Sequence, residues 1–240
     1  MPVVARSPSA NASSRRLRTA RLQGMSEMAR ALGHEVNNLL AAVTLRVELL
    51  AEDVPGDGPA RESVAVLERA TAQGRALVQR VRILARLTKP AASRAMTIAD
   101  AVDDALAALG PRIAASPGLG IDRVLAPAPP ALADRAEVTL ALVELLANAF
   151  DAAGERGRVR IETGAEGGTV YCRVSDDGPG LTEEARTHAF EPFFSTRESR
   201  GAGLGLTIAL AVAARHDGDI TLGPGAAGGT LATLSLRPAS

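Results

Sequence analysis

Residues 31–40 read Ala-Leu-Gly-His-Glu-Val-Asn-Asn-Leu-Leu, and they lie inside a pattern that decides the first half of the fold. Apolar residues recur there at intervals of three and four positions, which is the spacing of a helix that buries one side. This apolar stripe consists of Met25, Ala29, Leu32, Val36, Leu39, Val43, Val47 and Leu50. The pattern predicts one long helix from about residue 21 to residue 52.

His34 lies off this stripe, because it follows Leu32 by two positions, or about 200° around a helix. Asn38 lies one turn further along the face of His34, and Glu35 stands three positions before Asn38. The helix is therefore predicted to present an imidazole, a carboxylate and an amide to solvent or to another domain. A single histidine on a helix is more often an ordinary surface residue, so its meaning depends on motifs downstream.

Composition narrows the class of protein. The 240 residues carry 27 Lys and Arg against 27 Asp and Glu, so no net field favours nucleic acid or an acidic membrane. Aromatic residues make up only 2%, which leaves Ala, Leu, Val and Ile to build the core. The single Cys172 rules out an intrachain disulfide and is typical of a reducing compartment. With neither a signal peptide nor an apolar run of about 20 residues, the sequence predicts a cytoplasmic protein without a membrane span.

A second amphipathic helix is predicted from about residue 60 to residue 87. The segment Asp53–Pro59 separates it from the first helix, since its two prolines and two glycines interrupt helical structure. Its stripe consists of Val64, Leu67, Thr71, Gly74, Val78, Val81 and Leu84. One hairpin cannot bury both stripes, so we expect a homodimer that forms a four-helix bundle through residues 21–88. Residues 1–20 have no apolar period and are predicted to be a disordered basic tail.

The second half mixes strands and helices, which predicts an α+β domain over residues 91–240. Thr97 and Asp134 are predicted helix N-caps, and Gly154 is predicted to end the second of these helices. The predicted helices cover residues 98–109, 135–153 and 204–215, and the predicted strands cover residues 121–125, 158–163, 169–175, 219–222 and 230–236. A hairpin with a five-residue connection is expected over residues 158–175, with Val159, Ile161, Val170, Cys172 and Val174 facing inward.

Three motifs that carry glycine or acidic residues follow in a fixed order within this domain. A helix carries Glu144-Leu-Leu-Ala-Asn148-Ala-Phe-Asp151, a strand end carries Asp176-Asp-Gly-Pro-Gly180, and a turn into the last helix carries Gly201-Ala-Gly-Leu-Gly205. Glycine at the start of a helix lets backbone N–H groups approach phosphate, which the positive end of the helix dipole also favours. The spacing matches neither a P-loop nor a dinucleotide-binding fingerprint.

In this order the motifs resemble those of the GHKL ATP-binding proteins (gyrase, heat-shock chaperone, histidine kinase and MutL). With His-Glu-Val-Asn-Asn at residues 34–38, the chain is similar to the core of a two-component sensor histidine kinase, and the resemblance covers about residues 21–238. His-Glu-x-x-Asn followed by Leu-Leu, together with Asn-Ala-x-Asp-Ala, is similar to the nitrogen-regulatory type. The resemblance implies a dimerisation and phosphotransfer hairpin over residues 21–90 and a GHKL α/β sandwich that binds ATP over residues 91–240.

The resemblance also implies how single residues bind ATP and Mg²⁺. Asn148 would ligate Mg²⁺ through its amide oxygen, which suits a metal that keeps waters and phosphate oxygens as its other ligands. Asp176 would accept a hydrogen bond from the adenine amino group, while Gly203 and Gly205 would hold the phosphates. Residues 181–202 would form a mobile lid. Phe193 and Phe194 would be the hydrophobic anchor of this lid. The further residues expected around the nucleotide are Asp151, Gly178, Gly180, Phe193, Thr196, Arg197, Leu204 and Thr230.

The reaction implied by the resemblance is transfer of the γ-phosphoryl group of ATP to a ring nitrogen of His34. Glu35 would accept the imidazole proton or fix its tautomer, and Asn38 would position water for dephosphorylating a partner. The phosphoryl group would pass to an aspartate on the receiver domain of a response regulator, with a separate sensor protein left open as a further partner. The chain is thus expected to be a cytoplasmic, dimeric protein-histidine kinase without its own sensor domain.

Two alternatives remain open at this point. Many sensor kinases carry Asn four residues before the Mg²⁺ ligand, but Glu144 stands there in this chain, and gyrase-like relatives use a Glu at that position to activate water. The chain could therefore be a GHKL-type ATPase whose hairpin only dimerises. It could also be a phosphotransfer or docking module that retains the fold without catalysis. His188 and His216 match no catalytic position, and His216-Asp-Gly218 is predicted to end a helix.

Overall fold

The structure is a computed structural model, and it describes residues 36, 38–54, 56–87, 92–196, 203–226 and 228–239. The chain divides into two compact units, Met1–Thr88 and Lys89–Ser240. The predictions for His34, for Glu35, for Arg197 and for the N-terminal tail lie outside the described residues. Within the ranges given above, no helix combines the length and the apolar character needed to cross a bilayer.

The described part of the first unit contains two helices joined by a short loop. Helix α1 covers residues 38–53 and helix α2 covers Pro59–Arg86, so the predicted break between two helices is confirmed. Pro59 is the first residue of α2, a position at which a backbone N–H would have no partner within the helix. Ala51 lies near the end of α1 and Arg61 near the start of α2. The Arg61 guanidinium donates a 3.3 Å hydrogen bond to the carbonyl oxygen of Ala51, as in an antiparallel hairpin.

Among the described members of the apolar stripe of α1, only Val47 is buried. A Cβ atom added to Gly74 would lie 3.1 Å from Cδ2 of Leu40, so Leu40, which is not part of the stripe, packs against α2 on the same side as Val47. The exposed part of the stripe consists of Val36, Leu39, Val43 and Leu50, whose exposed fractions range from 37% to 64%. On α2 the buried positions Val64, Thr71, Val78 and Ala85 recur every seven residues. The predicted stripe is therefore only partly covered by the chain itself.

The second unit contains a five-stranded mixed sheet with helices. Its helices are α3 (Ile98–Ala108), α4 (Gly110–Ala114), α5 (Arg135–Ala153), α6 (Glu183–His188) and α7 (Gly205–Arg215). Its strands are β1 (Arg94–Met96), β2 (Gly120–Leu125), β3 (Ala131–Ala133), β4 (Arg158–Glu166), β5 (Thr169–Asp176), β6 (Asp219–Pro224) and β7 (Thr230–Leu236). The sheet has the order β2-β4-β5-β7-β6, with β2 and β4 parallel and the other neighbours antiparallel, while β1 pairs separately with β3.

Helix α5 is the crossover between the parallel strands β2 and β4, and it contacts α3, α7 and the sheet. Its ends are those predicted from sequence. The Asp134 side chain accepts a 3.1 Å hydrogen bond from the backbone N–H of Glu137, and Gly154 with φ of 74° follows the last residue. The fully buried side chains of the surrounding core include Leu142, Leu145, Leu146, Ile161, Ile208, Ile220 and Leu234. The predicted aliphatic core is thus confirmed.

The β4–β5 hairpin alternates inward and outward residues as predicted, but its connection is shorter. Burial of Cys172 on the inward register raises its pKa to about 12. The expected five-residue loop is wrong, because both strands continue to a two-residue turn at Gly167-Gly168, where both φ angles are positive. Gly164 belongs to β4 and lies opposite Tyr171, and a Cβ atom added there would lie 2.5 Å from the Tyr171 hydroxyl. This glycine makes room for a ring rather than for a turn.

Several short elements differ from the sequence-based expectation. Strands β1 and β3 have three residues each, which is too few for a period to be recognised. Helix α4, which begins at Gly110, and helix α6 have no counterpart among the predicted helices. Thr182 caps α6 by accepting a 3.1 Å hydrogen bond from the Ala185 N–H. Thr97 occupies the N-cap of α3 as predicted, but its side chain forms no capping hydrogen bond.

Candidate functional site

Asp176, the last residue of β5, is buried and held in one orientation. Its Oδ1 atom accepts hydrogen bonds from the backbone N–H groups of Gly178 at 3.0 Å and of Thr230 at 3.2 Å. Thr230 is the first residue of β7, so the two donors come from different loops beside the same strand end. A carboxylate whose plane is fixed presents its remaining lone pairs in fixed directions. This arrangement suits recognition of a directional donor such as an amino group.

Glycines bring three backbone segments into contact around Asp176. A Cβ atom added to Gly178 would lie 2.6 Å from the carbonyl oxygen of Ala152, near the end of α5. A Cβ atom added to Gly229 would overlap the carbonyl oxygen of Asp176. Gly180 has a φ of 74°, a conformation that disfavours other residues. A larger residue in this loop would therefore push Asp176 away from α5 or from β7.

The first turn of α7 meets two polar side chains of α5. Glu144 and Asn148 lie one turn apart on α5, and a Cβ atom added to Gly205 would lie 2.6 Å from Oε2 of Glu144 and 3.8 Å from Nδ2 of Asn148. Glu144 is buried, whereas Asn148 is exposed. The N-cap residue of α7 is Leu204, which makes no side-chain cap. Backbone N–H groups at the start of such a helix are donors for an anion.

The segment predicted as a lid is fastened at its base. The backbone N–H of Phe193 donates a 3.0 Å hydrogen bond to the carbonyl oxygen of Gly203, and the buried Thr207 hydroxyl donates one of 3.2 Å to the carbonyl oxygen of Phe190. Gly203 has a φ of 64°, and a Cβ atom added to it would lie 2.6 Å from the carbonyl carbon of Phe193. Only glycine is compatible with this close approach.

The two phenylalanines expected to anchor the lid differ in exposure. Phe193 has a φ of 65° and is 60% exposed, so it is both strained and accessible. Phe194 is half-buried, and its ring centroid lies 5.7 Å from that of His188. His188 also lies 3.1 Å from a carboxylate oxygen of Glu191, which agrees with the structural role expected for it. Thr196 is exposed, and residues 197–202 lie outside the described ranges.

Asp151 has a partner that the sequence did not indicate. Nη2 of Arg112 donates a 2.6 Å hydrogen bond to Oδ1 of Asp151, and the guanidinium carbon lies 5.8 Å from the centroid of the Phe150 ring. Arg112 belongs to the short helix α4, which is absent from the helices predicted from the sequence. Asp151 was expected beside the nucleotide, and in the structure its carboxylate fastens α4 to the last turns of α5.

The donors of the site suit the Mg²⁺ that the resemblance implies. Among the described residues, no group of three or more His, Cys, Asp or Glu side chains could hold a metal by itself. A site for Mg²⁺·nucleotide needs no such group, because phosphate oxygens and waters supply most of its six ligands. The exposed amide of Asn148, next to the start of α7, fits the role of the single protein ligand. In the first unit, Asn38 is exposed on α1 as expected.

Comparison with known proteins finds one matching family model and several similar sensor proteins. Residues 133–240 match a family model described as histidine kinase-, DNA gyrase B-, and HSP90-like ATPase. The chain is 30% identical over 231 residues to the sensory histidine kinase/phosphatase NtrB of Rhodobacter capsulatus, which covers 89% of this chain and 61% of that protein. The chain spans from 34% to 61% of the length of the first three curated relatives.

Solved structures share the architecture. Full-length ShkA in complex with AMPPNP has a TM-score of 0.72 and 28% identity, over 89% of this chain and 46% of that one. The histidine kinase ThkA, in complex with the response regulator protein TrrA, has a TM-score of 0.64 and 19% identity, over 95% of this chain and 66% of that one. The second likeness is one of fold.

Proposed function

We propose that this chain is a histidine kinase core whose second unit is a GHKL-type ATP-binding domain, and that it transfers the γ-phosphoryl group of ATP to His34 and then to an aspartate of a response regulator. The observation that carries the proposal is the convergence of the three motifs. Asp176 contacts the end of α5 through its loop, and Gly205 lies against Glu144 and Asn148 of the same helix. One helix thereby connects a site for a base with a site for phosphates.

Within this proposal, the second unit binds Mg²⁺·ATP. Asp176 accepts a hydrogen bond from the adenine amino group, and the backbone N–H groups after Gly203 and Leu204 donate to the phosphates. Asn148 is the protein ligand of Mg²⁺, and the ion, when bound, offsets the negative charge of the phosphate oxygens. The AMPPNP complex of ShkA supports a nucleotide site in this fold.

Within the same proposal, residues 21–90 carry the phosphoryl acceptor. His34 attacks through a ring nitrogen and Glu35 takes up or orients its proton. An unperturbed imidazole has a pKa of about 6.5 and is mostly neutral near pH 7, as a nucleophile must be.

The partners follow from the same reading. The exposed part of the α1 stripe gives the hairpin an apolar surface that a second copy of the chain can cover, which supports a homodimer through residues 21–88. The phosphoryl group then passes to the receiver domain of a response regulator, as the ThkA–TrrA complex suggests by analogy. The chain and its response regulator would both act in the cytoplasm.

The direct test is incubation with γ-labelled ATP and Mg²⁺. We expect label on the protein that survives base and is lost in acid, since phosphohistidine is acid-labile. His34→Gln should remove it, while His188→Gln, a change at a histidine outside the reaction, should retain it. Label that survives acid, or label retained by His34→Gln, would contradict the proposal.

A second candidate function is supported by the position of Glu144. This buried carboxylate lies beside the start of α7 and one turn from Asn148, where it could activate water for ATP hydrolysis. In the kinase reading, Glu35→Ala slows labelling of His34 by about 10²- to 10⁴-fold with nucleotide binding retained. If Glu144→Ala instead abolishes all ATP consumption while His34→Ala leaves it unchanged, the chain is an ATPase.

Asn38 is proposed to serve the reverse reaction. Its amide lies on the exposed face of α1, where it can position water in line with an aspartyl phosphate of the regulator. Asn38→Ala should leave labelling of His34 intact and prolong the lifetime of the phosphorylated regulator. Equal decay of regulator phosphate with wild type and with Asn38→Ala would remove this role.

A further inference from the structure

A buried cluster of polar side chains lies at the end of α7, and the proposed reaction makes no use of it. The His216 side chain is fully buried, with Nδ1 at 3.1 Å from the Ser93 hydroxyl and Nε2 at 2.9 Å from Oε2 of Glu137. The same carboxylate oxygen lies 3.0 Å from Nε of Arg215. Because an ionised carboxylate only accepts hydrogen bonds, Nε2 of His216 carries the hydrogen and donates a hydrogen bond to Glu137.

The end of α7 holds the imidazole in a fixed place. Asp217 adopts a φ of 55°, and the N–H of Gly218 donates a 2.8 Å hydrogen bond to the carbonyl oxygen of Ala213, which is the bond of a Schellman motif. A Cβ atom added to Gly218 would overlap the carbonyl oxygen of Ser235 in β7. The helix end is therefore packed against the sheet, and His216, as its C-cap, cannot move independently of α7.

The imidazole joins three parts of the second unit that are far apart in sequence. Ser93 belongs to the entering segment, which we define as residues 92–96, directly before and including β1. Glu137 lies in the first turn of α5, about two turns before Glu144 and about three turns before Asn148. His216 ends the helix that begins at Gly205. One side chain thus connects the entering segment to both helices that form the proposed phosphate site.

We propose that His216 is a positioning residue that couples attachment of the entering segment to nucleotide binding. Its hydrogen bond to Glu137 holds α7 against α5, in the arrangement that places Gly205 beside Asn148. Its hydrogen bond to Ser93 fixes the imidazole from the other side, so the α5–α7 arrangement is most stable when the entering segment is attached. By thermodynamic reciprocity, nucleotide that stabilises the α5–α7 arrangement also stabilises the attachment of Ser93. The inference rests on the proposed nucleotide site, and it adds a route from the segment leading into this unit to that site.

The test uses hydrogen exchange of the full chain, read on peptides that cover residues 92–98 and residues 209–216. Ser93→Ala removes one hydroxyl at an exposed position, and His216→Gln replaces the imidazole with an amide of similar reach. Thr169→Ala is the matched control, since it also removes one exposed hydroxyl that forms a single 2.9 Å hydrogen bond, in the β4–β5 turn. Each protein is measured without ligand and with Mg²⁺·AMPPNP.

Without ligand, Ser93→Ala and His216→Gln should raise exchange of the entering segment about five-fold, while Thr169→Ala leaves it unchanged. With Mg²⁺·AMPPNP, wild type and the control should gain protection in the entering segment, and the other two variants should lose most of that gain. Their affinity for AMPPNP, measured by calorimetry, should fall by a similar factor.

The outcomes separate this inference from the proposed function. If AMPPNP protects residues 92–98 equally in wild type and in Ser93→Ala, His216 carries no coupling. If exchange without ligand is the same in all four proteins, the attachment itself is absent, whatever the nucleotide does. Failure of wild type to bind AMPPNP would reject the proposed nucleotide site, and it would reject the coupling with it, while the attachment is still decided by the measurement without ligand.

Discussion

The two units of this chain differ in how completely they bury their large apolar side chains. In the second unit the large aliphatic side chains of α5, such as Leu142 and Leu146, are completely buried. In the first unit Leu39 is 64% exposed and Leu67 is 44% exposed, although both lie on amphipathic helices. The difference comes from the number of layers, because a sheet covered by helices encloses a core, whereas two helices cover only one side of each other.

This contrast separates what each unit can do alone. The second unit completes its core from its own residues, so its stability depends on internal packing and on bound ligand. The hairpin leaves four of the five described residues of its α1 stripe exposed, so its stability depends on another surface. The proposed homodimer supplies that surface, and the predictions below test whether the contrast is real, beginning with the largest effect.

A charge in the exposed part of the stripe should disrupt assembly of the proposed homodimer. Val43→Asp would place an unpaired carboxylate in each copy of the proposed interface, and the cost of several kcal/mol counts twice in a dimer. We expect the dissociation constant to rise by more than about 100-fold in analytical ultracentrifugation. Leu45→Asp is the control, since Leu45 is also exposed but lies about 200° from Val43 on α1. Equal assembly of the two variants would place the interface elsewhere.

Truncation in the enclosed core should destabilise the second unit alone. Leu142→Ala should lower its free energy of unfolding by about 2 to 5 kcal/mol, because a cavity remains in a closed core. Tyr171 is the only tyrosine in a chain without tryptophan, so its fluorescence during urea unfolding reports the second unit. Leu50→Ala, at an exposed position of α1, should leave this transition unchanged. A shift of the Tyr171 transition by Leu50→Ala would show that the units do not unfold separately.

Nucleotide should stabilise the second unit by a smaller amount. At 100 times its dissociation constant, Mg²⁺·AMPPNP should raise the free energy of unfolding reported by Tyr171 by about 2.7 kcal/mol. Asn148 is exposed, so Asn148→Ala should change the stability without ligand by less than about 0.5 kcal/mol while removing most of the gain with ligand. An undiminished gain in this variant would reject Asn148 as the Mg²⁺ ligand.

The smallest effect concerns the thiol of Cys172. Its pKa is raised from 9.0 to about 12 in the folded unit, so the unfolded chain ionises first as pH rises. Stability from this group is complete below pH 9 and is lost above it, by about 1.4 kcal/mol at pH 10. Cys172→Ala should therefore lose less stability between pH 8 and pH 10 than wild type does. Identical pH dependence of the Tyr171 transition in the two proteins would show that the thiol is not enclosed.

Elements fixed by neighbouring residues could be predicted from the sequence. Helix α5 was predicted because Asp134 and Gly154 act on their own backbone, and the faces of β4 and β5 followed from a period of two. The connection of this hairpin was not predictable, because the role of Gly164 depends on Tyr171 across the strand pair. Strand β1 exists through its pairing with β3, which no local pattern records.

The site shows the same division. The resemblance identified Asp176, Asn148 and Gly205 from short motifs, and the structure brings their elements together, although their roles stay proposals. Arg112 was missed because its partner is 39 positions away, and the bonds of His216 span 123 and 79 positions. A charged or polar residue in a helix gives no sign of a distant partner until the fold is known.

The place of β7 in the sheet has a consequence for how the protein is made. Strand β7 leaves the ribosome after the other described strands of this sheet, yet it lies between β5 and β6. Until it emerges, β5 keeps an unpaired edge and β6 has no neighbour in the sheet, so the nucleotide-binding unit cannot close during translation of residues 1–229. The hairpin, whose contacts are local, can fold and find a second nascent chain well before that. The proposed homodimer would then assemble before the proposed nucleotide site is complete, and a pair of nascent chains would bind ATP only after both had been translated past β7.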